Sequence, residues 1–326
     1  MKAIVYERYG SPDVLVMKEV PTPAPKDDEI LIRVRATTVT SGDWRARSLE
    51  LPRGFGFMGR FVFGLSKPRQ PILGTELAGD VEAVGRDVRH FKVGDAVFAF
   101  SGMGMGCHAE YRCMPGAGSV ALKPANLTYE EAAGLSFGGT TVIDFFRRAK
   151  IAKGDRVLVN GASGGVGTAA VQLAKHFGAE VTGVCSSANL ALVASIGADK
   201  VIDYTKADFT QSGETYDLIV DTVGTAPFSR SKGALRDGGR LLRVLGTLGD
   251  LLQAPWAAMT TRKRLIAGPA KVRAEDLRLL ATLAASGAFK PVIDRCYPFE
   301  AFAEAHRHVD TGRKKGNVVL TVPARP

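Results

Sequence analysis

The residues of this chain whose types and spacing could do chemistry are concentrated in one turn, Gly161-Ala-Ser163-Gly164-Gly165-Val166-Gly167. Residues 157–159, Val-Leu-Val, precede it. A short apolar run of this kind suits a strand buried on both faces. Val166, Ala170, Leu173, Ala174 and Phe177 follow at helical spacing on one face. Gly178 stands where a helix stops, and residues 181–184 supply the next strand. Strand, glycine turn, helix and strand within about thirty residues make a βαβ unit suited to a dinucleotide. The chemistry is anion binding. A pyrophosphate approaches unpaired N–H groups at a helix N-terminus, where the helix dipole favours negative charge. A Cβ at Gly164 or Gly165 would hold the phosphate away, and one at Gly167 would push the helix off the strand. Ser163 adds a hydroxyl donor. The spacing departs from Gly-x-Gly-x-x-Gly, because Ala162 stands at the first glycine position.

The end of the second strand discriminates between nicotinamide dinucleotides. A chain selecting NAD offers Asp or Glu there to the ribose hydroxyls. Here the segment reads Cys185-Ser186-Ser187-Ala188-Asn189, with no carboxylate and two hydroxyls that can donate to a 2′-phosphate. This favours NADPH. The alternative is that Ser186 and Ser187 only start a turn. Lys200, Tyr204 and Lys206 lie downstream, on and after a strand expected over residues 200–203.

The elements that must position this turn are spread over 326 residues, enough for two domains with their own cores. Hydrophobic content of 45% and charged content of 23% are those of an ordinary globular protein. The N-terminal residues Met-Lys-Ala-Ile-Val-Tyr-Glu-Arg include an acid and no long apolar core, unlike a secretory leader. No stretch reaches the roughly 18 uncharged apolar residues of a membrane span. Cys107, Cys113, Cys185 and Cys296 are scattered without Cys-x-x-Cys spacing, which suggests free thiols and a cytoplasmic location. The formal charge of +10 fits either a nucleic-acid surface or a basic cleft for an anionic cofactor. Basic and aromatic residues do not interleave as on a single-strand platform, so no nucleic-acid partner is expected; with no spanning stretch, no membrane partner is expected either.

Along the chain, residues 1–125 are rich in short strands and turns and read as a small β-barrel-like domain. Within them, residues 51–65 hold Phe55, Phe57, Met58, Phe61 and Phe63 among four glycines. This segment reads as a loop or short helix forming one wall of an apolar pocket or a satellite core. Residues 130–135 and 141–150 read as helices separated by Ser136-Phe-Gly-Gly139. Strands are expected over 216–221 and 240–245, with a helix end at residues 234–239. Strands alternating with helices imply a doubly wound parallel sheet, so the fold class is α/β. Residues 274–286 and 299–309 read as helices, and 317–322 as a final strand.

A β domain followed by a nucleotide domain resembles the medium-chain dehydrogenase/reductase superfamily over nearly the full length. The resemblance rests on Val39-Thr-Ser41-Gly-Asp43-Trp44, Leu73-Gly74-Thr75-Glu76-Leu-Ala-Gly79, Val93-Gly94-Asp95-Ala-Val97-Phe98 and Lys315-Gly316-Asn317-Val-Val-Leu. These point to its quinone oxidoreductase (zeta-crystallin-like) branch, whose members use NADPH and lack metal. The resemblance implies a GroES-like catalytic domain of residues 1–125 and 273–326 and a Rossmann NADPH-binding domain of residues 126–272. It implies cofactor contacts from Thr140, Val223, Gly224, Leu245, Gly246, Lys315 and Asn317. It also turns the segment holding Ser41, Asp43 and Arg45 toward the nicotinamide, making these the catalytic candidates. Asp43 is a poor donor to an oxyanion near neutral pH, and fixing its loop is an equal reading. Zinc alcohol dehydrogenases of the superfamily carry Cys in the first segment and His-Glu in the second. Here Ser41 and Thr75-Glu76 stand instead, which implies a zinc-free enzyme.

The expected reaction is hydride transfer from NADPH to a small hydrophobic quinone or enone. The alternatives are an alcohol dehydrogenase or carbonyl reductase of the same superfamily, and a non-catalytic protein that senses NADPH or binds nucleic acid. Family members commonly form homodimers, and the apolar residues 248–256 could contribute to such an interface.

Overall fold

The computed structural model describes residues 1–323. The chain divides into two units: residues 1–51, 56–140 and 272–326 form one, and residues 52–55 and 141–271 the other.

The first unit is built on a seven-stranded sheet. Its order is Ile293–Pro298, Asn317–Thr321, Glu29–Val39, Glu76–Val84, Ala96–Phe100 and Val120–Leu122, with Tyr111–Pro115 also pairing Glu29–Val39. Glu29–Val39 is central because its inward residues suit a core: Ile30, Ile32 and Val34 are buried, as is Leu31, while Arg33 and Arg35 on either side of Val34 stay half-buried. Leu77, Val81, Val97, Val318 and Leu320 complete the same core. Each such side chain contributes roughly 1.5–3 kcal/mol. The last strand pairs antiparallel with Glu29–Val39, with Val318 opposite Val39. A separate hairpin pairs Lys2–Tyr6 with Leu15–Glu19.

The second unit holds a six-stranded parallel sheet in the order Lys200–Asp203, Glu180–Cys185, Arg156–Asn160, Tyr216–Asp221, Leu235–Arg243 and Arg264–Ile266. The strand order reverses between Arg156–Asn160 and Tyr216–Asp221, and a crevice for ligand opens at the C-terminal ends of such strands. The helix Gly165–His176 covers this sheet, with Gly167, Ala170, Val171 and Ala174 on its buried face. Gly178, at φ +80°, ends it in a conformation glycine adopts without strain. Val166 and Phe177, at the two ends of the helix, are half-buried, and the Phe177 ring meets the buried Phe146 edge to face at 6.2 Å.

Three local expectations are corrected. The glycines at 138 and 139 do not separate helices; one helix runs from Ser136 to Ala149. Gly139 is there because Leu280 packs against it, 2.6 Å from where a Cβ would stand. The segment near residue 234 is a single 3-10 turn, and the strand begins at once, as Leu235–Arg243. Its Asp237-Gly238-Gly239 stretch, which reads as a turn, is absorbed at a register shift in the pairing with Tyr216–Asp221. Residues 56–63 form the short helix, and Phe57, Met58 and Phe61 on it are exposed rather than packed into a satellite core.

Candidate functional site

The glycine turn acts as its residue types require. Gly164 is extended (φ −81°, ψ 174°) and starts Gly165–His176 with no side-chain cap. The first N–H groups of the helix therefore keep their capacity for an anion. A Cβ on Gly167 would stand 2.0 Å from the Gly161 carbonyl oxygen, so only glycine lets helix and turn approach this closely. Gly161 itself sits at φ +84°. Beside the turn is a cavity of about 380 Å³. Asn160 and Gly161, Val184, Tyr204, Val223 and Arg230 are among its lining residues. Of the sequence candidates, Tyr204 and Val223 border this space; both are exposed.

Sequence reasoning missed what holds the cavity's far wall. Asp221, fully buried, ends its strand directly opposite Asn160. Its Oδ1 accepts from Gly224 N at 3.0 Å, Val223 N at 3.3 Å and Asn160 Nδ2 at 3.0 Å. Its Oδ2 accepts from Ala226 N at 2.9 Å and from the Arg243 guanidinium. Arg243 is itself buried and bridges on to Asp250, which caps the helix Leu248–Thr260 together with Thr247. Asn160 Nδ2 also donates to Thr225 Oγ1 at 2.9 Å. The loop 222–226 is thus hung from one carboxylate. An Asp at the end of an apolar strand, followed by a glycine three residues on, was the available signal.

The cofactor-selecting segment differs from its expectation in one respect. The strand Lys200–Asp203 runs parallel to Glu180–Cys185 and sets Asp203 opposite Cys185. A carboxylate is therefore present at this strand end. Ser187 Oγ donates to Asp203 Oδ2 at 2.5 Å, and Thr205 Oγ1 donates to Oδ1 at 2.7 Å. These bonds hold the Asp203 carboxyl below its usual range and occupy the Ser187 hydroxyl. Ser163 accepts from Asn189 Nδ2 at 3.0 Å. Leu245 and Gly246 follow two residues after Leu235–Arg243, and a Cβ on Gly246 would meet Ala267 at 2.8 Å.

In the first unit, the catalytic candidates sit at the start of the helix Ser41–Ser48. Thr40 and Asp43 form a capping box: Thr40 Oγ1 accepts from Asp43 N, and Asp43 Oδ2 accepts from Thr40 N at 2.7 Å. The other Asp43 oxygen accepts from Gly74 N at 2.8 Å. Asp43 is fully buried, so both oxygens fix backbone. Arg45 lies over the Trp44 ring and donates to the Glu50 carbonyl at 3.0 Å. The Ser41 hydroxyl has no partner among the described residues. Thr140, also buried, donates to the Ser136 carbonyl at 2.7 Å. Asn317 Nδ2 donates to the Val292 carbonyl at 3.1 Å, and Lys315 N donates to Asp294 at 3.1 Å.

Glu76 is the second residue that sequence reasoning passed over as a site. It begins Glu76–Val84 and is fully buried. Oε1 accepts from Thr38 Oγ1 at 2.5 Å and Oε2 from Phe137 N at 2.5 Å. Burial pushes its carboxyl up to about 7 against the pull of those two donors. Lys314, a half-buried residue with a desolvated ammonium, is lowered to about 8. With Ser41 and Thr75 at the other positions, and Glu76 committed to Thr38 and Phe137, the residues present do not make a zinc site. Among the described residues no group of three or more His, Cys, Asp or Glu could hold a metal ion.

A GroES-like β unit and a doubly wound unit with a glycine turn at its switch point define a medium-chain dehydrogenase/reductase. An alcohol dehydrogenase GroES-like domain model matches residues 26–125, and a zinc-binding dehydrogenase model matches residues 196–320. Quinone-oxidoreductase QR1 of Triphysaria versicolor is 32% identical over 98% of this chain and 98% of its own length. The NADPH-dependent alkenal/one oxidoreductase of Arabidopsis thaliana chloroplasts is 31% identical over 98% of this chain and 79% of its own. The quinone oxidoreductase of Coxiella burnetii superposes with a TM-score of 0.87 at 28% identity, covering 99% of both chains. The chain belongs to the quinone oxidoreductase family of the medium-chain dehydrogenases/reductases.

Proposed function

We propose that this protein is an NADPH-dependent oxidoreductase that delivers hydride to quinones or α,β-unsaturated carbonyls without zinc. The observation that carries the reading is the glycine turn and cavity at the switch point, in a chain similar along its whole length to quinone and NADPH-dependent alkenal/one oxidoreductases. NADPH supplies the hydride when bound. The unit of residues 52–55 and 141–271 is the nucleotide-binding domain in this reading, and the other unit, which holds residues 126–140 that the sequence assigned to the nucleotide domain, is the catalytic domain. Ser163, Gly164, Gly165, Val166 and Gly167 receive the pyrophosphate through backbone N–H groups. Ser186 and Tyr204 flank the 2′-phosphate, while Ser187 and Thr205 hold Asp203 in place beside them. Val223 and Gly224 border the ribose on the loop fixed by Asp221. Leu245 and Gly246, Thr140, Lys315 and Asn317 complete the cofactor contacts.

An acceptor taking hydride at carbon builds negative charge on oxygen, and a fixed donor lowers that barrier. Ser41 is the donor. Asp43 acts as a positioning residue that holds Thr40 and Gly74 in register around it, and Arg45 keeps the turn closed through Trp44 and Glu50. The test is NADPH consumption by chelator-treated protein against a benzoquinone, an ortho-quinone, an enone, an enal and a simple ketone. Turnover of quinones or enones but not the ketone is expected, and ketone or alcohol turnover that requires added zinc would refute the reading. In the same assay Ser41→Ala should lower kcat about 10²- to 10³-fold with NADPH affinity unchanged, the usual cost of a lost oxyanion donor. Equal kcat would remove Ser41 from the mechanism.

Ser186→Asp tests the cofactor assignment separately. A second carboxylate beside Asp203 should shift the NADPH/NADH ratio of kcat/KM toward NADH by tenfold or more, the size of one charge-assisted bond. An unchanged ratio would place the 2′-phosphate elsewhere. A cytoplasmic homodimer is consistent with the four free cysteines and with Leu252, Trp256 and Met259, which are exposed along one face of the helix Leu248–Thr260. No helix among the described residues is long and apolar enough to cross a membrane.

A further inference from the structure

The helix Gly56–Phe63 is inside out for a water-soluble surface. Its inward contact is made by Gly59, where a Cβ would collide with Leu51, and by Phe63, which packs against the main core of its unit. Its outward face carries Phe57, Met58, Phe61 and Val62, exposed by 76, 51, 50 and 55%, and Leu65 continues the patch at 59%. These positions recur at helical spacing, and the Phe57 and Phe61 rings meet edge to face at 5.0 Å. A patch of this kind marks an interaction site.

Charge says what covers it. Residues 51–75 contain no Asp or Glu. Arg60, Lys67 and Arg69, all exposed, surround the apolar face, and none of them pairs with a carboxylate among the described residues. Arg60 only donates to the Leu65 carbonyl at 3.0 Å. Next to the helix, Leu65, Ser66, Lys67 and Arg69 line a groove of about 680 Å³ with Tyr6 and Glu7, and Glu7 is already paired with Lys18 at 2.8 Å. A second copy of this patch would bring further unpaired cations and no carboxylate of residues 51–75 into a two-fold contact. One eight-residue helix is also too small for a stable protein interface. A lipid surface has neither problem: a few apolar side chains enter the acyl boundary while lysine and arginine meet anionic headgroups.

We propose that Gly56–Phe63 and Leu65 dock this protein on an anionic phospholipid surface, with Arg60, Lys67 and Arg69 on the headgroups. The sequence expectation of no membrane partner rested on the lack of a spanning segment, and surface docking needs none. The proposal does not depend on the hydride-transfer reading.

The experiment is vesicle co-sedimentation of the full chain. Phosphatidylcholine vesicles are compared with vesicles in which about one third of the lipid is phosphatidylglycerol, at low and at raised salt. Binding to the anionic vesicles alone, weakened at least tenfold by raised salt, is expected. The pair Phe57→Ser and Phe61→Ser, and separately Arg60→Gln with Lys67→Gln and Arg69→Gln, should each lower that binding tenfold or more. Thermal midpoint and NADPH affinity should stay as in the parent, which shows that these surface changes leave the fold intact. Absence of vesicle binding by the parent protein would overturn the proposal, as would equal binding to both vesicle types or undiminished binding by either variant. So would sedimentation velocity showing an oligomer that the Phe variants abolish, without vesicle binding.

Discussion

Replacing Asp221 by alanine will destabilise the nucleotide-binding unit by about 3–5 kcal/mol, the usual loss when one partner of a buried ion pair is removed. The Arg243 guanidinium would stay buried with only Asp250, at 3.3 Å, as counter-charge. The N–H groups of Val223, Gly224 and Ala226 would lose their acceptor together. Asp221→Asn keeps an acceptor oxygen but not the charge, so it should fall between the parent and the alanine variant. Denaturant unfolding gives the stability. NADPH titration at a temperature where both variants remain folded should also show weaker binding, because the loop 222–226 borders the cavity. A loss under 1 kcal/mol in Asp221→Ala would mean that the loop is held by its other contacts.

The second large effect is a pH dependence centred on Glu76. Its carboxyl is raised in the folded protein to about 7 from an ordinary 4.5, by burial first, with the Asp43 charge adding to the rise. Thr38, Phe137 N and the Lys314 charge oppose it. A group raised by folding contributes stability that is complete below its unfolded value and lost as pH climbs through the folded value. Between pH 4.5 and 7 that loss is about 3 kcal/mol, at about 1.4 kcal/mol per unit. Lys314 works in the opposite sense: its contribution is present above its ordinary value and lost as pH falls through about 8. Glu76→Gln keeps an acceptor for Phe137 N and a polar partner for Thr38 without ever ionising. Its stability relative to the parent should therefore rise steadily from pH 4.5 to 7 and stay constant above. Chemical denaturation at a series of pH values measures this directly. A difference independent of pH across that window would show that Glu76 binds its proton equally in the folded and the unfolded chain.

Much of the chemistry was readable from residue type because it is local. Gly161, Gly164 and Gly167 declare themselves by spacing, and the strand and helix around them lie within the same stretch. Asp203 was invisible at the cofactor-selecting site because its position depends on which strand lies beside Glu180–Cys185, and parallel neighbours are set by the sheet rather than by sequence distance. Asp221 reads only as the polar end of a strand, because backbone acceptor duty leaves no mark in residue type, whereas for Asp43 the loop-fixing role stands beside the catalytic one already in the sequence. The raised carboxyl of Glu76 required knowing that its strand end is fully buried with the Asp43 charge near it, a burial made by segments distant in the chain. Gly138-Gly139 misled for the converse reason: glycine accommodated a close neighbour, Leu280, within an unbroken helix.

The closing strand of the first unit carries a consequence for how the chain is made. Asn317–Thr321 pairs with the strand Glu29–Val39, joining the last part of the chain to the first. All but four residues of the second unit come from the single run 141–271. A ribosome therefore releases a complete nucleotide-binding sheet while the other unit still lacks the strand that seals its core, and that strand must find its place across a loop spanning most of the chain. Dinucleotide in the cell meets its binding turn before the chain is finished. The half-built β unit is the part whose apolar strands wait exposed, and the part a chaperone would meet.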